Sequence, residues 1–335
     1  MPTRRQLLAA TAATAAAAPL TRVHAVESAP APAAPRTGNA LVYRTTVGNA
    51  RIALLCDGTF NFDPLWPTLG ANVEQAELLD AARQLHMPVD GLSHVNAALV
   101  ETGDRRVLLD VGSGDTFTPT CGRLVEALAG VGVTPEQITD VVLTHAHLDH
   151  IGGLLRPGRT PGVADTLKPM FRNATVHLAE AERDFWLGEP DFSRSDIDPG
   201  IAAVATQVAR DAIAAVGDRL QTFRPGDEVL PGLLSFPAPG HTPGHATLMV
   251  SDGNDQLLFV GDTCFFPPLM PLHPDWHIAF DTDRMEAAAT RRRVMDQIAT
   301  DNLRIAGPHL PFPALGHLVR EGSGYRYLPE TYRLG

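Results

Sequence analysis

Residues 144–153 read Thr144-His145-Ala146-His147-Leu148-Asp149-His150-Ile151-Gly152-Gly153, directly after the apolar run Val141-Val142-Leu143. Three histidines and one aspartate thus fall within six positions. Imidazole nitrogen and carboxylate oxygen are ligands that zinc and similar ions bind. Alternate residues of a short loop point to opposite sides, so one such loop can face two ions. The segment therefore predicts a metal site, and it allows two metals.

Three more segments share one pattern, a short apolar run that stops close to a side chain able to bind a metal. The runs 233–236, 257–260 and 303–306 lead, in that order, to His241, Asp262 and His309. Short apolar runs bounded by Gly and Pro are typical of buried strands. Functional side chains lie on loops that such a scaffold holds, so we expect these strand ends to converge on one cleft.

In their order along the chain, these residues resemble the pattern of the metallo-β-lactamase superfamily, which is H-x-H-x-D-H, then Gly-His, then Asp, then a final His. The resemblance implies an α/β fold, the four-layer αββα sandwich. The ligands that it implies for a first metal are His145, His147 and His241. Those that it implies for a second metal are Asp149, His150 and His309, with Asp262 bridging both ions.

The implied cofactors are two divalent transition-metal ions. Zinc is the first candidate, and iron, manganese and cobalt stay open because imidazole and carboxylate ligands suit them all. A water that bridges two such ions loses its proton near neutral pH and becomes a nucleophile, while the ions polarise a carbonyl or phosphoryl oxygen. The resemblance thus implies a hydrolase in which Asp149 and Asp262 act together with the bridging hydroxide.

Two other residues are candidates for orienting the metal ligands. His245 is the second histidine of the motif 239–245 and is not a ligand in the family, so it is either such a partner or purely structural. Asp57 lies on the turn Asp57-Gly58-Thr59. It either orients a ligand histidine or forms the turn itself.

From Val42 onward the chain resembles one branch of the superfamily, the methyl parathion hydrolases. The stretches that carry this likeness are 55–59, 110–114, 184–187, 309–317 and 321–327. The branch implies aryl phosphotriesters or aryl esters as substrates, with the aryl leaving group enclosed by aromatic residues. The matching positions are Phe117 and Trp186, with Phe265 near the same wall. A third aromatic of that enclosure has no counterpart around Gly200-Ile201.

Two other functions remain open. The first is a lactonase for acyl-homoserine or other lactones. Quorum-signal lactonases of the superfamily carry a tyrosine three residues after the bridging aspartate, where this chain has Phe265, and this difference counts against a dedicated lactonase. The second is a non-catalytic module that binds metal or a ligand. Seven converging groups argue against it, because they leave coordination positions open, whereas a structural metal site is closed by four ligands.

Length and composition favour a single large α/β domain over residues 41–335. Hydrophobic residues make up 44% of the 335 residues, which is ample for one core. The pattern predicts strands near 41–47, 50–56, 94–101, 106–110, 141–144, 174–178, 233–236, 247–251, 257–260 and 303–306. It also predicts a helix with a core-facing apolar stripe over 201–215 and a second helix, capped at its start by Asp283, that runs to about 299.

The amino end reads as an export signal of the twin-arginine type over residues 1–25. Arg4 and Arg5 precede an alanine-rich apolar tract that ends at Ala25, and this tract is too short for a stable membrane span. Residues 26–40, rich in alanine and proline, are expected to be a flexible leader. We therefore expect a periplasmic or secreted protein.

The charge balance argues against nucleic acid as a partner. The formal net charge is −11, and loss of 1–25 with its three arginines takes it to −14. Lys168 is the only lysine, and we interpret the one basic run, Arg291-Arg292-Arg293, as a solvated helix face. The expected partner is a small ester, phosphotriester or lactone, and a homodimer is compatible with the sequence. Cys56, Cys121 and Cys264 are interpreted as small buried hydrophobic residues, with Cys264 close enough to Asp262 to oxidise near the site.

Overall fold

The apolar runs form two sheets of seven strands in the computed structural model, which describes residues 41–87 and 90–332. The export signal expected at 1–25 and the leader expected at 26–40 lie outside the described residues. The first sheet has the order β1 to β7, with bounds Val42–Val47, Ala50–Asn61, Leu92–Thr102, Arg105–Leu109, Asp140–Val142, Thr175–Ala179 and Leu220–Phe223. Its strands are antiparallel from β1 to β4 and parallel from β4 to β7.

The second sheet runs in the order β14 to β8. In chain order its strands β8 to β14 are Glu228–Leu230, Leu233–Pro237, Ala246–Asp252, Asp255–Phe259, Ile305–Ala306, Leu315–Glu321 and Gly324–Pro329. Only β11 and β12 pair in parallel, and the other neighbours are antiparallel.

Eight α-helices belong to the described part of the chain. The helices α1 to α8 are Leu65–Thr68, Gln75–Gln84, Leu124–Gly130, Leu148–Ile151, Glu180–Leu187, Pro199–Val216, Leu269–Leu272 and Arg284–Asp301. The start of α8 is capped as predicted, since the Asp283 carboxylate accepts the backbone N–H groups of Met285 and Glu286. None of the helices described combines the length and the apolar character that a membrane span requires.

Strand β2 shows how the layers pack. Successive side chains of a strand point to opposite faces. The side chains of Ile52 and Leu54 therefore pack in a core that includes Leu248 of the other sheet. Those of Ala53 and Leu55 point the opposite way and pack in a core that includes residues of α3 and α6. Helix α8 packs on the second sheet through Met295 and its neighbours. The result is the predicted four-layer αββα sandwich.

Four of the observed strands are not among those predicted from the sequence. These are the short β7 and β8 and the carboxyl-terminal pair β13 and β14. β7 and β8 are short and are too exposed to show a continuous apolar run. β13 and β14 carry charged side chains among their apolar ones, and only the family likeness had drawn attention to them.

The stripe on α6 divides into two parts. Ala205, Val208 and Ala212 are buried as expected, but Ile201 and Val204 are 44% and 52% exposed. The prediction that the whole stripe packs in the core is therefore wrong at its amino end. These two side chains face a cleft, which is described below.

Candidate metal centre

Histidines from two loops at one edge of the sandwich meet in a buried cluster. Nε2 of His145 lies 3.0 Å from Nδ1 of His147, which in turn lies 2.9 Å from Nε2 of His241. His145 and His147 follow β5, and His241 lies between β9 and β10. The three residues thus form one set of potential metal ligands.

A second set lies beside the first. It consists of Asp149, His150 and His309, whose ligand atoms also lie within 4.8 Å of one another. Nε2 of His309 is 3.5 Å from a carboxylate oxygen of Asp149, and Nε2 of His150 is 3.7 Å from the other oxygen. His309 follows β12, so both halves of the chain contribute to the site.

Asp262 lies between the two sets. Its Oδ2 is 3.2 Å from Nε2 of His241 in the first set and 3.4 Å from Nε2 of His309 in the second. Its Oδ1 is 3.3 Å from Nε2 of His150. Burial alone would raise the pKa of Asp262, but the surrounding histidines, His309 foremost, hold it well below its usual range. The carboxylate is therefore an anion that lies between the two sets of potential ligands.

The donor atoms fit a transition metal. Ligands about 2.0–2.1 Å from a tetrahedral zinc ion lie roughly 3.3 Å from one another, which is close to the separations found here. Nε2 of His150, Nε2 of His309 and Oδ1 of Asp262 are buried and have no hydrogen-bond partner among the described residues. Buried polar atoms are rarely left without partners, so their convergence fits a bound cation.

In three of the ligand histidines, a hydrogen bond on the far side of the ring fixes which nitrogen faces the other ligands. Nδ1 of His150 is 2.8 Å from Asp110, Nδ1 of His241 is 2.9 Å from Asp281, and Nδ1 of His309 is 2.7 Å from the carbonyl oxygen of His94. Because each Nδ1–H donates to an oxygen, the lone pair of Nε2 is left for the metal.

His245 belongs to neither ligand set and holds the backbone of Asp262. Its Nε2 accepts the backbone N–H of Asp262 at 3.0 Å, and its Nδ1–H donates to the carbonyl oxygen of Ala238. Burial, aided by the nearby His241, lowers the pKa of His245 to about 3. The ring is therefore neutral and keeps the lone pair that holds Asp262 in place.

Glu182 joins the two loops that carry the first ligand set. One carboxylate oxygen accepts the N–H of Ala146 at 3.0 Å, and the other accepts the N–H of Gly244 at 2.9 Å. Burial raises the pKa of this carboxyl group. The sequence does not single out Glu182, because a glutamate inside an amphipathic helix such as α5 is usually a surface residue.

A cleft of about 710 Å³ opens above the metal-binding residues. Its floor includes His147, Asp149, His241 and Asp262. The walls are largely apolar, with five phenylalanines, Phe60, Phe62, Phe117, Phe265 and Phe280, and with the aliphatic Ile197, Ile201 and Val204. Phe117 and Phe265 thus lie where the sequence analysis expected them.

Trp186 does not line the cleft, so the prediction that it contacts substrate is wrong. Its side chain is fully buried, its indole N–H donates to Glu182 at 2.8 Å, and its ring packs edge-on against His147. Trp186 lies behind the metal ligands because the amphipathic α5 turns this position inward. Phe60, Phe62 and Phe280, which sequence reasoning did not single out, form the aromatic wall instead.

Asp57 does not orient a ligand histidine. Its buried carboxylate accepts the backbone N–H groups of Ser113, Gly122 and Leu124 as well as the Ser113 hydroxyl. The histidine partners are Asp110 and Asp281, both of which the sequence analysis missed in this role. Asp57 instead fixes the loop that carries Phe117.

The conserved-domain model of the metallo-beta-lactamase superfamily matches residues 90–309, which is well over half of the chain. The chain belongs to the metallo-beta-lactamase superfamily. This confirms the resemblance at the level of the superfamily and its fold. Among curated relatives, the uncharacterized protein YobT of Bacillus subtilis is 28% identical over 168 residues, which are 50% of this chain and 61% of YobT. The chain thus matches less than two thirds of that relative's length.

Two solved structures cover the fold more fully. The dizinc quorum-quenching lactonase AidC, solved in complex with the product N-hexanoyl-L-homoserine, superposes with a TM-score of 0.82 at 27% identity, covering 88% of this chain and 100% of AidC. The hydrolase AbOPH of the beta-lactamase superfamily superposes with a TM-score of 0.77 at 27% identity, covering 88% of this chain and 99% of AbOPH. As a member of the superfamily with this set of histidines and aspartates, the protein has a site suited to a divalent metal.

Proposed function

We propose that the protein is a binuclear metal-dependent hydrolase of neutral aryl phosphotriesters and aryl esters, with lactones as the second candidate class. The observation that carries the proposal is an aromatic cleft whose floor consists of metal-binding residues. Bound there, two divalent ions would supply Lewis acidity and a water nucleophile near neutral pH. Zinc is the first candidate, and iron, manganese and cobalt suit the same ligands.

The two aspartates have different surroundings. The side chain of Asp149 is 14% exposed and lines the cleft, whereas that of Asp262 is only 4% exposed. Asp262 is held by the histidines around it and by His245, so its part is to fix the spacing of the two ligand sets. Asp149 is the more accessible carboxylate, so it could accept the proton that the attacking water releases and pass it to the leaving oxygen of a substrate in the cleft.

The aromatic wall suits a flat leaving group. Phe117 packs edge-on against Phe60 with ring centroids 4.9 Å apart, and Phe265 lies 5.3 Å from Phe62. A well-placed aromatic pair is worth about 0.5–1.5 kcal/mol beyond the burial of its area. An aryl group that contacts Phe117 and Phe265 would therefore be held beside the metal-binding floor.

The charge of the cleft favours a neutral substrate. Among the described residues that line it, none is a lysine or arginine, and the wall contains the carboxylates of Asp63, Asp196 and Asp198. A substrate that keeps an anionic group would have no cationic side chain to pair with and would meet these carboxylates. Phosphotriesters, carboxylic esters and lactones are neutral, whereas phosphodiesters and β-lactam antibiotics are anions.

Lactones are the second candidate because of one structural likeness and one feature of the wall. AidC, at 27% identity, is a lactonase solved with its product bound. The aliphatic side of the cleft, formed by Ile197, Ile201 and Val204, offers an apolar surface on which an acyl chain could lie. Phe265, however, brings no hydroxyl group that could donate to a lactone carbonyl.

A panel of substrates on the zinc-loaded enzyme tests this proposal. The panel contains a dialkyl aryl phosphate, an aryl acetate, acyl-homoserine lactones with short and long acyl chains, and a β-lactam. The matched control is the alkyl aryl phosphodiester with the same leaving group, which differs from the triester by one anionic oxygen.

We expect the triester or the aryl ester to have the highest kcat/KM and the diester to be slower by about a hundredfold or more, equivalent to roughly 2.7 kcal/mol. If lactones exceed every aryl substrate by a similar factor, the lactonase assignment replaces the first one. Equal rates on the triester and the diester would show that the charge of the cleft does not select substrates.

A further inference from the structure

Arg291 lies inside the protein, although it belongs to the basic run Arg291-Arg292-Arg293 on α8. Its side chain is 2% exposed, whereas that of Arg292 is 43% exposed and Arg293 is an exposed residue. The interpretation of the whole run as a solvated helix face is therefore wrong at its first residue. A buried guanidinium is costly unless it is paired and hydrogen-bonded, so its partners indicate what it does.

The partners of Arg291 lie in the loop that precedes α8. Nη1 donates to Oδ2 of Asp281 at 2.7 Å, Nη2 donates to the carbonyl oxygen of Trp276 at 2.7 Å, and Nε donates to the carbonyl oxygen of Pro274 at 3.1 Å. One side chain thus holds both the backbone of the loop and its buried carboxylate.

Asp281 contacts both Arg291 and a potential metal ligand, His241. The carboxylate is fully buried, and its other oxygen, Oδ1, is 2.9 Å from Nδ1 of His241. Nε2 of His241 faces Nδ1 of His147 and Oδ2 of Asp262. A continuous series of contacts therefore runs from Arg291 through Asp281 to the metal-facing nitrogen of His241.

The carboxylate behind the second ligand set is held differently. Asp110 contacts His150, and it accepts the backbone N–H and the hydroxyl of Thr144. Apart from His150, the described side chain and backbone that Asp110 contacts, those of Thr144, are neutral donors, whereas Asp281 is paired with the buried guanidinium of Arg291. The carboxylate that contacts the first ligand set, Asp281, is therefore paired with a cationic side chain, and the carboxylate that contacts the second set, Asp110, is held by Thr144.

We propose that Arg291 is a positioning residue of the metal centre, which fixes Asp281 so that this carboxylate orients His241 toward the first metal. The proposal rests on the proposed function in that it takes the site to bind metal. Loss of a hydrogen-bond partner behind a metal-binding histidine typically lowers metal affinity 10–100-fold. Arg291 acts one contact further away, through three hydrogen bonds, one to a carboxylate and two to carbonyls, a set that the planar guanidinium can donate at the same time.

The test measures zinc affinity directly, by competition with a chromophoric chelator, and does not depend on the substrate. The variants are Arg291→Met, Arg291→Lys and Asp281→Asn in the full-length protein. Arg292→Met is the matched control, since it removes a neighbouring arginine whose ion pair with Asp275 lies at the surface. The absorption spectrum of the cobalt-substituted protein reports on the geometry around His241.

We expect Arg291→Met to lower the affinity for one zinc ion about 10-fold or more and to leave the affinity for the other close to that of the wild type. Arg291→Lys should recover part of the affinity, and both variants should alter the cobalt spectrum, while Arg292→Met changes neither. The double variant Asp281→Asn/Arg291→Met should lose less than the sum of the single losses, because both residues act through one contact.

Wild-type zinc affinity and an unchanged cobalt spectrum in Arg291→Lys and Arg291→Met would overturn the proposal and leave Arg291 as an anchor of the loop alone. If Arg291→Met does not fold, Arg291→Lys and Asp281→Asn decide the question by the same two measurements. A wild-type protein that binds no zinc would overturn the proposed function itself, which is a distinguishable result.

Discussion

Trp186 and Glu182 lie one turn apart on α5, and the indole N–H of Trp186 donates to Oε2 of Glu182 at 2.8 Å. The same oxygen accepts the N–H of Ala146, and the other oxygen accepts the N–H of Gly244. Ala146 stands between two metal-binding histidines, and Gly244 lies in the loop of the third. The tryptophan therefore stabilises the loops of the metal centre from behind, where a substrate does not reach.

Trp186→Phe should reduce activity on aryl and aliphatic substrates by the same factor. The substitution keeps a ring in the buried space and removes the hydrogen bond to a buried carboxylate, which is worth about 1.5–3 kcal/mol. We expect the free energy of unfolding to fall by about that amount, measured in urea on the metal-free protein. A selective loss on nitrophenyl substrates would show instead that Trp186 reaches the substrate.

Asp57→Asn should loosen the loop that carries Phe117 without changing metal content. An asparagine offers one acceptor oxygen where the carboxylate offers two, and its NH₂ group would face backbone donors. Leaving such donors unsatisfied costs about 1–3 kcal/mol each. We expect lower stability and a higher KM for aryl esters, with wild-type zinc stoichiometry.

Asp104→Asn, in an exposed turn, is the control for this measurement and should behave as wild type. Loss of zinc from Asp57→Asn at a stability that still keeps the protein folded would contradict the assignment. It would return Asp57 to the role of orienting a ligand.

The metal ligands could be predicted because their signal is local. Three histidines and an aspartate in one short loop, and single ligands placed after apolar runs, need no knowledge of the tertiary structure. The residues behind them carry no such signal. Asp281 and Arg291 are brought together only by the path of the loop before α8, and a basic triplet on a helix gives no sign that its first member is buried. Trp186 was assigned to the wrong side of the ligands because sequence alone does not show which face of α5 turns inward.

The three cysteines should be inert in the native protein. Burial raises the pKa of Cys56 to about 11 and those of Cys121 and Cys264 to about 12. Because these values lie above the ordinary thiol pKa, the reactive thiolate is scarce at neutral pH and increases only as the pH rises toward them. We expect slow alkylation by iodoacetamide between pH 7 and about 9, followed by labelling of all three thiols in urea, as measured by mass spectrometry. Rapid native labelling of Cys264 with loss of activity would revive the idea that it oxidises beside the site.

Export can be tested on the amino-terminal sequence. We propose that residues 1–25 direct the protein through the twin-arginine route to the periplasm or the medium. Arg4→Lys together with Arg5→Lys should leave the precursor in the cytoplasm, whereas the native chain should be cleaved near Ala25. Cell fractionation and amino-terminal sequencing measure this. Recovery of the native chain from the cytoplasm alone, with residues 1–25 still attached, would contradict the proposed export.

The metal content of the purified protein tests the central claim most directly. Elemental analysis should find about two transition-metal ions per chain, because two sets of ligands share the bridging Asp262. His147→Ala and Asp262→Ala should lose metal and hydrolytic activity together, with Asp104→Asn as the control that retains both. A wild-type stoichiometry near zero, or an Asp262→Ala protein that hydrolyses esters at the wild-type rate, would contradict the account.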